Sequence, residues 1–336
     1  MPLRIFYSPI FREHKPEGYH PENPTRLDYA IRGLSENGLW NEENVLEPVP
    51  ASPSDVLLIH DGDYVNRIRE LAAGFTYLDP DTYVSPGTWE AALTALGAAR
   101  DAVKFAVKEK GLYLALVRPP GHHAGRSGRA FNASTLGFCI FNNAAFAAYT
   151  LRELEGNAVV IDFDAHHGNG TQEIFWNDPA VVHIDLHERD IYPWSGYEYD
   201  VGGKDAEGSK VNVPMPHYSG DDDYILAWEE IVLPILGERD PSVVVVSAGF
   251  DGFLGESLTT LRLTERFFSY AGSTLSRYSL AVIFEGGYNI GLMKGLPAFI
   301  KGYLDGRTER SPIKPGYETL STVQRVISVH RNWWGL

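Results

Sequence analysis

Three histidines are the residues best placed to do chemistry: His122 and His123, adjacent in "RPPGHHAG" (Arg118 to Gly125), and His166 in "DFDAHHGNG" (Asp162 to Gly170). In the second stretch Asp164 and His166 lie two apart, so an extended segment just past a strand can aim both at one ion. Asp251, in "SAGFDG", can supply a third ligand. Three ligands of the O, N, O type leave an open position for water, the arrangement of a catalytic rather than a structural zinc. Water activated there needs a base, and the scissile group needs a polarising partner. His122 and His123 emerge from a rigid Pro-Pro-Gly turn and titrate near neutral pH, while Tyr288 in "EGGYN" offers a hydroxyl on a loop loosened by Gly286 and Gly287. Asp162 could accept a hydrogen bond from one imidazole and Asn169 from the other. A carboxylate raises its partner's pKa and an amide does not, so two identical side chains would acquire unequal roles. Taken singly, each aspartate also reads as a turn or cap residue and the histidine pair as a turn. Only their combination carries the chemistry.

Something must bring these stretches together. Short apolar, β-branched runs at Leu3 to Tyr7, Leu112 to Val117, Asn157 to Asp164, Val181 to Leu186, Ser242 to Gly249 and Leu280 to Gly287 read as strands. Between them, helical periodicity covers Pro24 to Ser35, Thr88 to Lys108, Asn143 to Glu155, Tyr224 to Leu236, Thr264 to Arg277 and Ile290 to Leu304. Thr88 and Thr264 read as N-caps, each with a carboxylate close behind. The alternation predicts a single α/β domain over residues 1–336, with a mostly parallel central sheet and helices on both faces. Five strands run directly into His, Asp or Tyr. Ligands in open α/β sheets bind beyond the carboxyl ends of the strands, so these residues are expected in one crevice.

Composition narrows the class. Apolar residues make up 44% and charged residues 22%, ordinary values for a folded globular chain. One cysteine, Cys139, rules out an internal disulfide framework or a cysteine-rich zinc cage, and suits a reducing compartment. With 29 basic and 44 acidic side chains, the formal charge of −15 argues against direct binding to nucleic acid while tolerating a cationic substrate. The opening "MPLRIFYSPIF" has no basic region followed by a long apolar run, and no stretch reaches the length of a membrane span. A soluble, cytoplasmic protein is the expectation, with homo-oligomerisation left open. His60, His183 and His217 read as packing or surface residues, "GDDDY" (Gly220 to Tyr224) as a loop with a helix cap, and the tryptophans of "RNWWGL" as packing against the body.

In this order and spacing, "RPPGHHAG", "DFDAHHGNG", "SAGFDG" and "EGGYN" resemble the zinc-dependent histone deacetylase superfamily, in particular its class II-like prokaryotic and acetylpolyamine amidohydrolase branch. The resemblance extends over nearly the whole chain, through "HPENPTRL", "YVSPGTWEAAL" and "GFCIFNNAA". It implies an arginase/deacetylase fold and hydrolysis of an N-acyl amide. It further implies zinc at Asp164, His166 and Asp251, His123 as general base and acid, His122 as electrostatic partner and Tyr288 as carbonyl polariser. Asn169 stands where many nuclear members carry aspartate. Potassium is implied beneath the zinc, held by Asp162 and by main-chain carbonyls of Asp164, His166 and the Asp185–His187 segment, Leu186 included. Asp185 replaces a serine common in relatives. Gly137, Phe138 and Tyr192 match the walls of the family's acyl tunnel.

The substrate expectation rests on the tunnel mouth. Polyamine-selective relatives place a glutamate a few residues after the last zinc ligand, where this chain has Leu258, with Glu256 two residues earlier. An acyl-lysine substrate is therefore expected, with acetylpolyamine as the alternative. An arginase-like binuclear manganese hydrolase is a remote alternative, because Gly168 stands where a further carboxylate would be needed. A noncatalytic acyl-lysine binder is another.

Overall fold

The computed structural model describes residues 1–308 and 312–336. Eight parallel strands form its central sheet: β1 (Leu3–Phe6), β2 (Val45–Leu46), β3 (Leu112–Ala115), β4 (Ala158–Asp162), β5 (Val181–Glu188), β6 (Lys210–Met215), β7 (Val243–Ala248) and β8 (Ser279–Phe284). Their spatial order is β6-β5-β4-β7-β8-β3-β1-β2. Runs such as "VVVVSA" in β7 are buried at every position, as expected when helices cover both faces. Thr88–Lys108 and Asn143–Glu155 pack together and on the sheet, while Thr25–Glu36, Glu265–Leu275 and Ile290–Asp305 form a second packed set. Beneath that second set, Phe163 meets the rings of Trp228, Phe250, Phe267, Phe268 and Phe299 at centroid distances of 5.5–6.5 Å.

The chain passes from β3 to β4 across a gap that β7 and β8 later fill. At this switch in direction the strand ends splay apart and leave a crevice, the usual ligand position of open α/β sheets. Among the strands that end earlier than expected, β4 stops at Asp162 and β8 at Phe284. The residues that follow leave the hydrogen-bonded ladder because their polar groups are used in the crevice.

Two strands do not follow from sequence pattern. β2 is only two residues long, and β6, "KVNVPM", mixes Lys, Asn and Pro into a fully buried edge strand. Lys210 reconciles burial with charge by donating to the main-chain oxygens of Val181 (2.8 Å) and Asp178 (3.2 Å) and to Ser209 Oγ (2.7 Å). The helix Tyr317–His330 packs against this strand. Of the two expected N-caps, Thr264 is one, accepting from Arg266 N. Thr88 is not: Gly87 holds the cap position, and the Thr88 hydroxyl instead accepts from Ser85 N at 2.8 Å and meets His14 Nδ1 at 2.7 Å. The helix expected from Tyr224 begins at Asp221, where Asp223 accepts from Gly220 N, and runs through a π-turn at Trp228–Val232. Trp334 is buried with its indole donating to Gly208 O at 2.8 Å, whereas Trp333 is exposed.

Candidate active site

The crevice collects residues that the sequence distributes between His122 and Tyr288. Asp164 and His166 follow β4, and Asp251 follows the neighbouring β7. His166 Nδ1 lies 3.2 Å from Asp164 Oδ1 and 2.8 Å from Asp251 Oδ2, and the three offer ligand atoms to one point. Burial opposes a charge on His166, but the two carboxylates outweigh it and push its pKa up to about 10. That corner strongly attracts a cation. Asp164 is held in place by its other oxygen, which accepts from Gly286 N at 2.8 Å, and Asp251 by Ala165 N at 3.0 Å.

His122 and His123 lie side by side, ring centroids 4.0 Å apart, with different partners. His122 Nδ1 is 3.1 Å from Asp162 Oδ2, and His123 Nδ1 is 2.8 Å from Asn169 Oδ1. Burial penalises the charge of both. For His122 the carboxylates of Asp164 and Asp162 outweigh burial and hold the pKa well above the ordinary value; for His123 the charges of His122 and His166 reinforce burial and drive it well below. One imidazole is thus built to be charged and the other neutral. The turn that carries them is pinned by Glu285, which accepts from Gly121 N at 2.7 Å and His122 N at 3.2 Å. Burial raises this carboxyl to about 7.

Tyr288 follows β8 on the loop after Gly287. Burial keeps its hydroxyl protonated, and no described residue hydrogen-bonds that hydroxyl. Its ring meets Phe138 edge-on at 6.2 Å, and the Arg26 guanidinium lies 5.0 Å from its centre. Arg26 also donates to Gly287 O at 2.7 Å and to Glu285 O, and pairs with the enclosed Glu22, which Arg118 grips at both oxygens. Tyr192 packs edge-on against His123 at 4.9 Å. Gly137 occupies the space between them: at its φ of +54°, an added Cβ would come within 2.5 Å of His123 and 2.7 Å of Tyr192. Gly137, Phe138 and Tyr192 therefore line one wall beside the imidazoles.

The further residues implied for potassium lie beside Asp162 on the neighbouring strand. Asp185 is buried on β5, its carboxylate taken by His187 Nδ1 (2.6 Å) and Gly168 N (2.8 Å). Leu186 is an enclosed core residue on the same strand. Leu258 is exposed on the loop after Asp251. Glu256, two residues earlier, is buried and accepts from the main-chain N–H groups of Tyr288 (3.1 Å), Asn289 (3.0 Å) and Gly291 (2.8 Å). Sequence reasoning assigned no role to Glu22, Arg26, Glu285 or Arg118, although all lie inside quoted motifs; four polar side chains beside prolines and glycines were the available signal.

The family model for the histone deacetylase domain matches residues 20–301. The chain belongs to the histone deacetylase family. A probable deacetylase of Archaeoglobus fulgidus is 34% identical over 85% of this chain and 81% of its own. An uncharacterised protein of Methanocaldococcus jannaschii is 50% identical over 90% and 88%. Histone deacetylase 15 of Arabidopsis thaliana is 34% identical over 94% of this chain but 59% of its own length. The crystal structure of the HD domain of HDA15 superposes with a TM-score of 0.88 at 31% identity, covering 99% of this chain and 97% of that one. The arginase/deacetylase architecture and a deacetylase-type hydrolytic site follow from this membership. Among the described residues, no helix is long and apolar enough to cross a membrane.

Proposed function

We propose that the protein is a zinc-dependent amidohydrolase that removes acetyl or other acyl groups from acyl-lysine. The observation that carries this reading is the facing of an O, N, O ligand set by two imidazoles with unequal partners. Ligand separations of 2.8–3.2 Å around His166 Nδ1 are close to those around a four-coordinate zinc, where bonds of about 2.0–2.2 Å place ligands roughly 3.3 Å apart. Zinc bound by Asp164, His166 and Asp251 would lower the pKa of water and polarise a carbonyl. His123, neutral and with Nδ1 committed to Asn169, accepts the proton of the attacking water at Nε2 and returns it to the leaving amine. His122, held charged by Asp164 and Asp162, stabilises the negative charge that develops. The Tyr288 hydroxyl donates to the carbonyl oxygen, and the wall of Gly137, Phe138 and Tyr192 takes the apolar stem of the substrate.

Lysine rather than polyamine is favoured by the fate of Glu256. A carboxylate that reads a distal ammonium must face the mouth, and this one is consumed by three main-chain N–H groups, leaving Leu258 at the exposed position. Comparing kcat/KM for acetyl-lysine peptides, N8-acetylspermidine and acetylputrescine tests the reading. The peptides are expected to be preferred; a clear preference for the polyamines overturns the substrate assignment, and no turnover of any amide overturns the enzyme assignment.

A further inference from the structure

A pocket of about 210 Å³ opens beside the tunnel wall, lined by Phe131, Trp176, Trp194 and Tyr197 together with Asp200. Two of its sides continue that wall. Trp194 stands two residues after Tyr192, at most about 7 Å along the chain. Phe131 begins the loop that leads through Thr135, whose carbonyl accepts from the Tyr192 hydroxyl at 3.0 Å, to Gly137 and Phe138. On the third side Trp176 follows the helix Asn169–Ile174 and meets the Phe131 ring edge-on at 5.4 Å. None of these residues belongs to the Asp164, His166 and Asp251 set.

Three details point to an occupant. Trp194 is 65% exposed, and Tyr197 and Phe131 are exposed as well. Rings gathered in one concave patch, unlike rings scattered singly, mark an interaction surface. The backbone also holds two of them in the left-handed region, Phe131 at φ +49° and Trp194 at φ +62°, where a bulky residue stays only if its surroundings enforce it. Phe131 N donates to Glu173 Oε2 at 2.8 Å, Ala130 O accepts from Asn169 Nδ2 at 3.3 Å, and Trp194 N donates to Ile191 O at 2.8 Å. Lastly, the Asp200 carboxylate is aimed by its own turn. Its Oδ2 accepts from Tyr197 N and Tyr197 O accepts from Asp200 N, both at 2.9 Å, while Oδ1 takes no hydrogen bond from any described residue.

The lining selects the kind of occupant. Ser195 Oγ and Gln172 Oε1 are committed to the two ring nitrogens of His167, at 2.9 and 3.1 Å, and the Tyr197 hydroxyl to a second carboxylate, Asp190, at 3.2 Å. Among the described residues no lysine or arginine lines the pocket. A carboxylate with one free oxygen, set among aromatic rings, attracts a cation through both charge and ring quadrupole. A planar guanidinium suits it best, because it stacks on ring faces while its N–H groups reach the carboxylate. We propose that this pocket is a specificity subsite for the side chain of an arginine, and less well a lysine, flanking the acyl-lysine of the substrate. The proposal rests on the acyl-lysine reading. An extended peptide advances about 3.3 Å per residue, so a residue one to three positions from the acyl-lysine spans the distance.

Two measurements on the full chain keep the failure of this proposal apart from the failure of that reading. In the first, acetyl-lysine peptides carry arginine, lysine or the neutral isostere citrulline at each flanking position in turn, and kcat/KM is compared. At one position arginine is expected to be favoured over citrulline about 5- to 30-fold, with the ratio falling towards 1 in Asp200→Asn and in Trp194→Ala. Equal turnover whatever the flank, or a preference that both variants keep, overturns the proposal and leaves the deacetylase reading standing. The second needs no turnover: protein labelled with 5-fluorotryptophan is titrated with Nα-acetylarginine amide and, separately, with Nα-acetylcitrulline amide. The fluorine resonances of Trp194 and Trp176, assigned through Trp194→Phe and Trp176→Phe, are expected to shift with the arginine amide alone. Should no peptide be hydrolysed, the acyl-lysine reading falls by itself and this titration decides the cation pocket. No shift, or equal shifts with citrulline, refutes it; so does a shift on protein dilution alone, which marks a contact between copies of the chain.

Discussion

Replacing Glu256 by glutamine tests how the Tyr288 hydroxyl is aimed. The carboxylate divides its work: Oε1 accepts from Asn289 N and Gly291 N, and Oε2 from Tyr288 N alone. Glutamine keeps one acceptor oxygen, which stays with the two stronger partners, and turns an NH2 group towards the Tyr288 N–H. One charge-assisted hydrogen bond is lost, about 1.5–3 kcal/mol, and a donor now faces a donor at the residue that places the hydroxyl. Unfolding should move down by a few degrees, at roughly 2 °C per kcal/mol for a chain of this size. Turnover should suffer more, since a displacement near 1 Å can cost ~10²-fold; a fall in kcat on the order of 10- to 100-fold is expected, with KM little changed and metal retained. Glu256 is a positioning residue on this argument, so its effect should vanish once Tyr288 has no hydroxyl to aim. The assay is kcat and KM on an acetyl-lysine peptide for Glu256→Gln, Tyr288→Phe and the double variant. The double variant should be no slower than Tyr288→Phe. Multiplied losses in the double variant, or wild-type kcat in Glu256→Gln, would refute the reasoning.

Three further outcomes are expected. Tyr288→Phe alone should lower kcat about 10²-fold or more, and His123→Ala about 10²- to 10⁴-fold, both with metal content unchanged; near-wild-type turnover in either removes that residue from the mechanism. His60 is buried with Nδ1 on Gly125 O (2.8 Å) and Nε2 accepting from Asn142 N (2.9 Å), and burial lowers its pKa from 6.5 to about 4. The unfolded chain then binds more protons between these values, so stability is full above pH 6.5 and about 3 kcal/mol is lost as pH falls to 4; urea melts across that window should show a flatter slope in His60→Leu, and an equal slope counts against the assignment. Phe163→Ala should cost about 3–5 kcal/mol, because it empties the centre of the aromatic cluster, and should loosen metal binding by freeing the backbone between Asp162 and Asp164; unchanged melting with intact metal content would contradict this.

The parts of the site that were legible in sequence are those written within a few residues of a strand end. Asp164, His166, Asp251, His122, His123 and Tyr288 each follow an apolar run directly, and the sheet does the rest. The pairing of His122 with Asp162 and of His123 with Asn169 was narrowed to two residue types but assigned only by geometry. What was not legible depends on distant partners. Arg118 reaches Glu22 across 96 positions, and Glu256 finds Tyr288 across 32. β6 was missed because Lys210 Nζ and Asn212 Nδ2 find buried acceptors inside the fold, and periodicity cannot register that.

Asp164 is walled by two glycines. An added Cβ at Gly249 would come within 2.1 Å of its carboxylate oxygen, and one at Gly286 within 2.4 Å. For anyone diversifying this scaffold, those two positions are closed: any larger residue presses on the Asp164 carboxylate, and on the proposed function a randomised library spends variants there at the expense of the metal site. Phe138, Tyr192 and exposed Leu258 lie away from that vice, and under the proposed function they are the positions at which to vary substrate choice while Asp164 is left alone.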